Sequence, residues 1–269
     1  GHNRTMLMSV MLKTLFVLAA YAPIAQSAQV KLWVSKTCPY AAKAWCAFNE
    51  RVCTTANVDF ELRMVDLQEK PEDFNSMYAS ISPWGTDTSS KVPILEAGPN
   101  FKLVESGVIT AYIEDKYPPM GGALSPEELA KARFFVDTFE KTLGGLTGSL
   151  LKASGDPVAC KEIEAKIRTS IGVLEALLTS ELISSSGPFV IGDRFSIAEF
   201  NTAPFVQRLI PVAQHYVGVD VLAICAELKA VRLLQWMEAT LERDSVASIR
   251  VEDGPLFEGF DRMMARFKV

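Results

Sequence analysis

The first half of the chain alternates between strand-like and helix-like hydrophobic spacing. An apolar run of strand length, VKLWVS, occupies residues 30–35. The next apolar side chains recur at spacings of four, three and four, which is typical of a helix packed on one side: Ala41, Trp45, Phe48 and Val52. Later segments fit strands and then a helix: 58–65, VPILE from Val92, FKLV from Phe101, and the run from Ser106 to about Lys116.

A polar stretch with proline and glycine, which ends at Lys91, separates the second and third of these strands and is interpreted as a connection. The order is therefore strand, helix, strand, connection, strand, strand and helix. This order predicts a thioredoxin-like half-domain.

The second half of the chain has a helical pattern throughout. Ser125, Pro126 and Glu128 supply an N-cap, a proline in the first turn and a capping-box glutamate, which predict a helix to about Leu143. A second helix is predicted from about Pro157 to Leu182.

A third helix start is marked by a second capping box. Ser196 and Glu199 form the box, and Phe195 and Phe200 flank it at the positions of a hydrophobic staple. No strand pattern of comparable strength follows Val104. The fold class is therefore predicted as α/β followed by all-α.

The periodicity breaks at PPMGG, residues 118–122, which we interpret as a linker. The predicted division is an apolar leader or extension at 1–28, a thioredoxin-like domain at 29–118 and an all-helical domain at 123–269.

The leader, residues 1–28, has the pattern of a signal peptide. Lys13 precedes an apolar run, and the small residues Ala25 and Ser27 stand where cleavage would occur. Pro23 and the charge interrupt the run, so a membrane-spanning helix is the weaker interpretation and membrane contact is not favoured. An apolar extension docked on the fold is the third interpretation.

Composition and charge narrow the functional classes. Hydrophobic residues make up 49% of the chain and charged residues 22%, which is typical of a globular protein rather than a disordered one. The net charge of −5 and the lack of a basic stripe argue against nucleic acid as a partner. His2 and His215 are the two histidines, and His215 is interpreted as structural or exposed.

Five cysteines occur without a CxxC pair or a metal-type Cys/His spacing: Cys38, Cys46, Cys53, Cys160 and Cys225. Neither a disulfide framework nor a bound metal is expected. The odd count favours the cytoplasm or another reducing compartment, although the leader leaves secretory or organellar targeting open.

Cys38 stands where a strand should end and a helix should begin. The free N–H groups and dipole of a helix start favour an anion, and Pro39 suits the first turn because its missing N–H has no helical partner there. Lys36 adds positive charge nearby. Cysteines in this setting ionise more readily than a free cysteine, so Cys38 is the candidate nucleophile. The alternative is a small packed residue.

The dithiol form of this chemistry needs a second cysteine three residues later, and that position is Ala41. On a continuous helix Cys46 lies about 12 Å from Cys38, beyond the roughly 7 Å limit for a disulfide, and Cys53 is farther away. Cys38 must then be regenerated by an external thiol, which indicates a small thiol cosubstrate.

Two further segments fit a site for a thiol peptide. Val92 and Pro93 precede a strand, where a cis-proline leaves neighbouring backbone free to pair with an extended peptide. Glu105 and Ser106 open a helix, where they could bind an amino-acid head group. The alternative to peptide pairing is core packing of Val92, and the alternative to head-group binding is a plain N-cap at Ser106.

Together these residues resemble the glutathione transferase superfamily, in particular its cysteine-type omega and lambda classes. The resemblance extends from about Gln29 to Glu242 and rests on ordered motifs: TCPYA, LQEKP, KVPILE, VESGVI and GPFVIGDRFSIAEF. The connection SISPWGTDTSSK is longer than the family pattern, and the leader is not part of it.

The resemblance implies a role for each site residue. Cys38 is the catalytic thiol, Lys70 meets the glycine end of glutathione, and Val92, followed by Pro93, pairs its backbone with the cysteinyl part. The γ-glutamyl end is held by Glu105 and Ser106. The position of Tyr40 is usually aromatic in these classes.

The implied activity is glutathione-dependent thiol transfer, including deglutathionylation and dehydroascorbate reduction. Its partners are glutathione as cosubstrate and a small oxidised or glutathionylated substrate, and a homodimer is left open. A cysteine in place of the serine or tyrosine of other classes forms a mixed disulfide, which favours reduction over conjugation. The alternatives are conjugation of glutathione to electrophiles and a non-catalytic protein resembling the chloride intracellular channel proteins.

Overall fold

The computed structural model describes residues 29–83, 89–119, 121–183 and 185–267. The predicted leader, 1–28, lies outside the described residues, as does the part of the long connection at 84–88. The chain folds into a strand-containing half followed by a helical half, which confirms the predicted fold class.

The first half contains a mixed four-stranded sheet with the order β2-β1-β3-β4. Its strands are β1 (Val30–Val34), β2 (Phe60–Met64), β3 (Ile94–Ala97) and β4 (Lys102–Leu103). β2 runs parallel to β1, and β3 runs antiparallel to both β1 and β4. β1 is largely buried on both faces, which is why its residues are apolar except for the partly exposed Lys31.

Helices α1 (Pro39–Ala47), α2 (Glu72–Ile81) and α3 (Ser106–Lys116) complete this half. α1 continues into a short π-helical segment, Phe48–Val52. All four residues of the predicted helical stripe are buried: Ala41, Trp45, Phe48 and Val52.

The connection predicted before Lys91 contains a helix, α2, which the sequence pattern did not indicate. Glu72 and Asp73 occupy its first turn, where acidic residues favour a helix N-terminus. Its buried face consists of Phe74 and Tyr78, and the Phe74 ring lies 5.8 Å from that of Trp33 on β1. A helix that buries two side chains leaves too short a pattern for its period to stand out.

The second half is helical in its described residues, apart from two isolated bridges in the loop that ends at Arg194. Its helices are α4 (Pro126–Lys141), α5 (Thr147–Ala153), α6 (Pro157–Leu178), α7 (Ile197–Val217), α8 (Val221–Glu227), α9 (Val231–Glu242), α10 (Asp244–Ala247) and α11 (Asp253–Phe267). α4 and α6 end slightly before the predicted residues, and a 3₁₀ turn follows α4 at Leu143–Gly145.

Both predicted capping boxes are present. Ser125 and Glu128 cap α4, and Ser196 and Glu199 cap α7. At α7 the Phe195 and Phe200 rings lie 5.5 Å apart, as a hydrophobic staple requires. The α7 box is buried, and Glu199 also accepts hydrogen bonds from the Val190 N–H and the Trp236 indole.

The two halves are joined by packing of α1 against α7 and by the buried side chain of Arg51. Arg51, just after α1, pairs with Glu114 of α3 at 3.2 Å and donates to the Phe195 carbonyl ahead of α7. α1 therefore packs along the helical half, and Cys38 at its start borders residues of both halves.

No single helix in the described parts of the chain is long and apolar enough to cross a membrane. One pair bent by 97°, Ile197–Val217 with Val221–Glu227, meets the length and composition criteria together.

Candidate active site

Cys38 is the N-cap residue of α1. Its Sγ accepts a hydrogen bond from the Ala41 N–H at 3.5 Å, and Pro39 occupies the first turn. The side chain is partly exposed. The thiol sulfur therefore lies where unpaired helical N–H groups and the helix dipole favour a negative charge.

A cavity of about 580 Å³ beside Cys38 brings together every residue that the sequence assigned to glutathione chemistry. Those residues are Cys38, Tyr40, Lys70, Val92, Pro93, Glu105 and Ser106. Other residues of the lining were not predicted: Leu67, Tyr78, Ser89, Ser90, Lys91 and Val104. The shared cavity is a structural fact, and the individual roles stay predictions.

Lys70 lies at one side of this cavity, before α2. Its Nζ donates to the Ser89 hydroxyl at 2.6 Å and to the Ser90 carbonyl at 2.7 Å. These contacts connect the two ends of the segment that contains α2. They also hold a positive charge at the cavity wall.

The peptide bond between Val92 and Pro93 is cis. Val92 is 8% exposed, so its side chain packs in the core while the residue borders the cavity. The side chain of Val92 therefore packs in the core, as one alternative expected, and backbone pairing of Val92 with a peptide stays a prediction.

Glu105 has a backbone φ of +70°, which side-chain-bearing residues rarely adopt. Its carbonyl accepts the Ile109 N–H at 2.9 Å, and Ser106 is the first residue of α3. The turn directs the start of α3 towards the cavity. A carboxylate, a hydroxyl and the free N–H groups of a helix start therefore meet at one wall.

Tyr40 stands at the mouth of the cavity and is 56% exposed. Its ring makes an edge contact with Phe205 of α7, with 5.4 Å between centroids. The buried Lys43 ammonium lies 5.6 Å from the Tyr40 ring and bonds Glu140 of α4 at 2.7 Å. The contacts with Phe205 and Lys43 hold the Tyr40 ring where the two halves meet.

A second cavity, of about 730 Å³, lies against Cys38 between the β1–α1 loop, the end of β2 and α11. The helical half contributes the apolar side chains Leu256, Phe260 and Met263 from α11. Sequence reasoning missed them. Their spacing of four and three indicates a helix, but no local pattern shows that this face meets Cys38.

α11 is docked on the end of α7. The Tyr216 hydroxyl donates to Asp261 at 2.8 Å, and the Phe257 carbonyl lies 3.1 Å from the same oxygen. The exposed His215 ring stacks on Phe257 with 3.9 Å between centroids, which gives His215 the structural contact and surface position expected of it.

The five cysteines are free. Cys46 is fully buried next to Ser245, and burial raises its pKa. Burial also raises the pKa of Cys53, and it raises that of Cys225 to about 11. These thiols are less reactive than a free cysteine because the thiolate is the nucleophile. Within the described residues, no three His, Cys, Asp or Glu side chains form a metal-binding group.

Two family models match nearly the whole described chain. "Glutathione S-transferase, N-terminal domain" matches residues 32–122, and "Glutathione S-transferase, C-terminal domain" matches residues 131–249. The chain belongs to the glutathione S-transferase family. Its similarities lie with the omega- and lambda-like, cysteine-type members of this family.

Curated relatives cover most of this transferase. Glutathione S-transferase DHAR3, chloroplastic, of Arabidopsis thaliana is 29% identical over 224 residues, which are 83% of this chain and 72% of the relative. Probable glutathione S-transferase DHAR1, cytosolic, of Oryza sativa subsp. japonica is 27% identical, over 80% of this chain and 88% of the relative.

Solved structures share the fold of this transferase. The crystal structure of glutathione transferase Omega 2C from Trametes versicolor is 25% identical, with a TM-score of 0.65. The similarity covers 89% of this chain and 99% of the fungal one.

Proposed function

We propose that this transferase catalyses glutathione-dependent thiol transfer and reduction, of the deglutathionylation and dehydroascorbate-reductase type, through the single thiol of Cys38. The observation that carries the proposal is the position of Cys38. Its Sγ accepts the Ala41 N–H at the start of α1 and borders the cavity that contains Lys70, Glu105 and Ser106.

The cavity wall matches glutathione chemically. The Lys70 ammonium suits the glycine carboxylate, and the carboxylate of Glu105 suits the α-amino group of the γ-glutamyl end. Ser106 and the N–H groups at the start of α3 suit the α-carboxylate. Val92, just before β3, borders the same cavity, and its backbone can pair with an extended peptide. The glutathione sulfur then lies next to Cys38.

The reaction takes two thiol–disulfide exchanges. The Cys38 thiolate attacks the glutathione sulfur of a glutathionylated substrate, and a Cys38–glutathione disulfide forms. The substrate leaves as a thiolate, which takes up a proton. A second glutathione thiolate attacks the glutathione sulfur of this mixed disulfide. Cys38 thiolate and oxidised glutathione are released. The substrate gains two electrons, and two glutathione molecules form one disulfide.

The reduction of dehydroascorbate uses the same two-electron balance, with two glutathione molecules as the source. The DHAR names of the two plant relatives support this substrate class. Ala41 stands where a dithiol enzyme has its second cysteine, so glutathione itself must resolve the mixed disulfide. The proposed reaction therefore needs a supply of reduced glutathione. The relatives' names include both cytosolic and chloroplastic proteins.

The test is a comparison of Cys38→Ser with Cys160→Ser. Serine hardly ionises, so Cys38→Ser should reduce glutathione-dependent disulfide reduction to the rate of glutathione alone. Glutathione binding, followed by calorimetry, should persist because the other contacts remain. Cys160 is also a partly buried free cysteine but lies on α6, and its variant should keep wild-type turnover. Turnover that survives Cys38→Ser would show that another group carries the chemistry.

A further inference from the structure

Arg208 is a buried cation behind the β1–α1 loop. It lies on α7 and is 3% exposed. One terminal nitrogen donates to the Lys36 carbonyl at 3.0 Å, and the other donates to the Pro204 carbonyl at 2.9 Å. The guanidinium therefore reaches from the helical half to the residue two positions before Cys38.

This guanidinium has no carboxylate partner. No Asp or Glu of the described residues forms an ion pair with it, and its buried Nε has no hydrogen-bond partner. Burial lowers the pKa of Arg208 to about 10, which still leaves it cationic at neutral pH. A buried charge without a counterion is unfavourable, so such a site gains stability from an anion nearby.

Cys38 lies two residues after the Lys36 carbonyl that accepts from Arg208, and its thiol is partly exposed. Other charged side chains border the two cavities next to Cys38: Lys36, Asp66, Lys70, Lys91, Glu105 and Arg262. All of these are exposed or partly exposed, so solvent screens them more than it screens Arg208.

We propose that Arg208 is a positioning residue for the reactive thiol: it fixes the loop before Cys38 through the Lys36 carbonyl and supplies the buried positive charge that favours the Cys38 thiolate. This inference rests on the proposed function. In the second exchange Cys38 is the leaving group, and the cation stabilises the thiolate that departs. The helix start and Arg208 then act on the sulfur from two different elements, α1 and α7.

The direct test is the pH dependence of Cys38 alkylation, read on the Cys38 peptide by mass spectrometry. In Arg208→Met the midpoint of the profile should move up by about one pH unit, so that the rate below both midpoints falls about tenfold. Arg208→Lys keeps the charge and should stay within about half a unit of wild type. The control Arg232→Met removes another partly buried arginine, which donates to the Pro188 and Phe189 carbonyls, and should leave the profile unchanged.

Equal shifts in Arg208→Met and Arg208→Lys would mean that the position of the loop, not the charge, controls the alkylation midpoint of Cys38. An unmoved midpoint in Arg208→Met would also overturn the inference. The readout is independent of turnover. Failure of the proposed function appears instead as activity in Cys38→Ser.

A measurement on the wild-type chain covers the case in which Arg208→Met does not fold. With ¹⁵N-labelled arginine, the Arg208 Nε–H resonance, assigned by its absence from Arg208→Lys, should shift with the same pH midpoint as Cys38 alkylation. The shift should be absent in Cys38→Ser. A resonance that stays constant through the wild-type midpoint would contradict the proposal.

Discussion

At the scale of single residues, Glu105 combines a strained backbone with a proposed contact to glutathione. Its φ of +70° costs of order 1–3 kcal/mol for a residue with a side chain. Its side chain is exposed beside the cavity, so the fold itself does not bury this carboxylate. The strain places a carboxylate and the start of α3 at the same wall, which a relaxed turn would separate.

This strain gives a prediction with a matched pair of variants. Glu105→Ala and Glu105→Gly both remove the carboxylate, so both should raise the KM for glutathione, by roughly 5- to 150-fold for a lost contact of about 1–3 kcal/mol. Glycine accepts positive φ, so Glu105→Gly should be about 1 kcal/mol more stable than Glu105→Ala in urea unfolding. Equal stabilities would mean that Glu105 is not strained in solution, and an unchanged KM would remove it from the site.

Ser106 provides a second residue-scale prediction. Ser106→Ala removes a hydroxyl from the same wall and should also raise the KM for glutathione within that 5- to 150-fold range. The pH profile of Cys38 alkylation should be unchanged, because the start of α1 is untouched. A shifted profile would show that Ser106 acts on the thiol instead of on the γ-glutamyl group.

At the scale of elements, the two capping boxes differ in burial. Ser196 and Glu199 are fully buried at the start of α7, whereas Ser125 and Glu128 start α4 near the surface. The Ser196 hydroxyl accepts the Ala198 N–H and donates to Glu199. Loss of this hydroxyl leaves buried polar groups without a partner, which water cannot replace.

We therefore expect Ser196→Ala to lower the free energy of unfolding by about 2–3 kcal/mol and Ser125→Ala by about 0.5–1 kcal/mol. Urea unfolding followed by circular dichroism measures both. Equal losses would show that burial of the box adds nothing to its capping value.

Comparison of the helices shows which of them the sequence alone can predict. Helix starts carry local signals, so α4, α7 and the start of α1 at Cys38 could be predicted from Ser–x–x–Glu boxes and from Pro39. α2 could not, because two buried side chains give no visible period. The motifs identified seven residues that line the first cavity, and their binding of glutathione stays a prediction. The α11 side of the second cavity and Arg208 come near Cys38 only through tertiary packing.

At the scale of the whole molecule, Arg51 links the strand-containing half to the helical half, and Glu114 of its own half neutralises its charge. Both side chains are nearly fully buried, and Arg51 also donates to the Phe195 carbonyl. Removing one member of such a pair leaves the other charge buried and unpaired, which costs more than removing both.

Glu114→Leu should therefore lower the free energy of unfolding by about 3–5 kcal/mol, and the double variant Arg51→Met/Glu114→Leu should be more stable than Glu114→Leu. Glu227→Leu, which breaks the exposed pair with Arg168, is the control and should cost less than about 1 kcal/mol. Denaturant unfolding gives all of these values. A double variant less stable than Glu114→Leu would show that Arg51 stabilises the fold without Glu114, through its bond to the Phe195 carbonyl.

The central claim is that Cys38 alone carries the glutathione chemistry, and the mass of the native chain after exposure to oxidised glutathione tests it most directly. Cys46 and Cys225 are buried, and burial raises the pKa of these two thiols and that of Cys53. We therefore predict a single added glutathionyl group, which peptide mapping locates at Cys38. A glutathionyl group on another cysteine, or a disulfide from Cys38 to Cys46 or Cys53, would contradict the single-thiol mechanism.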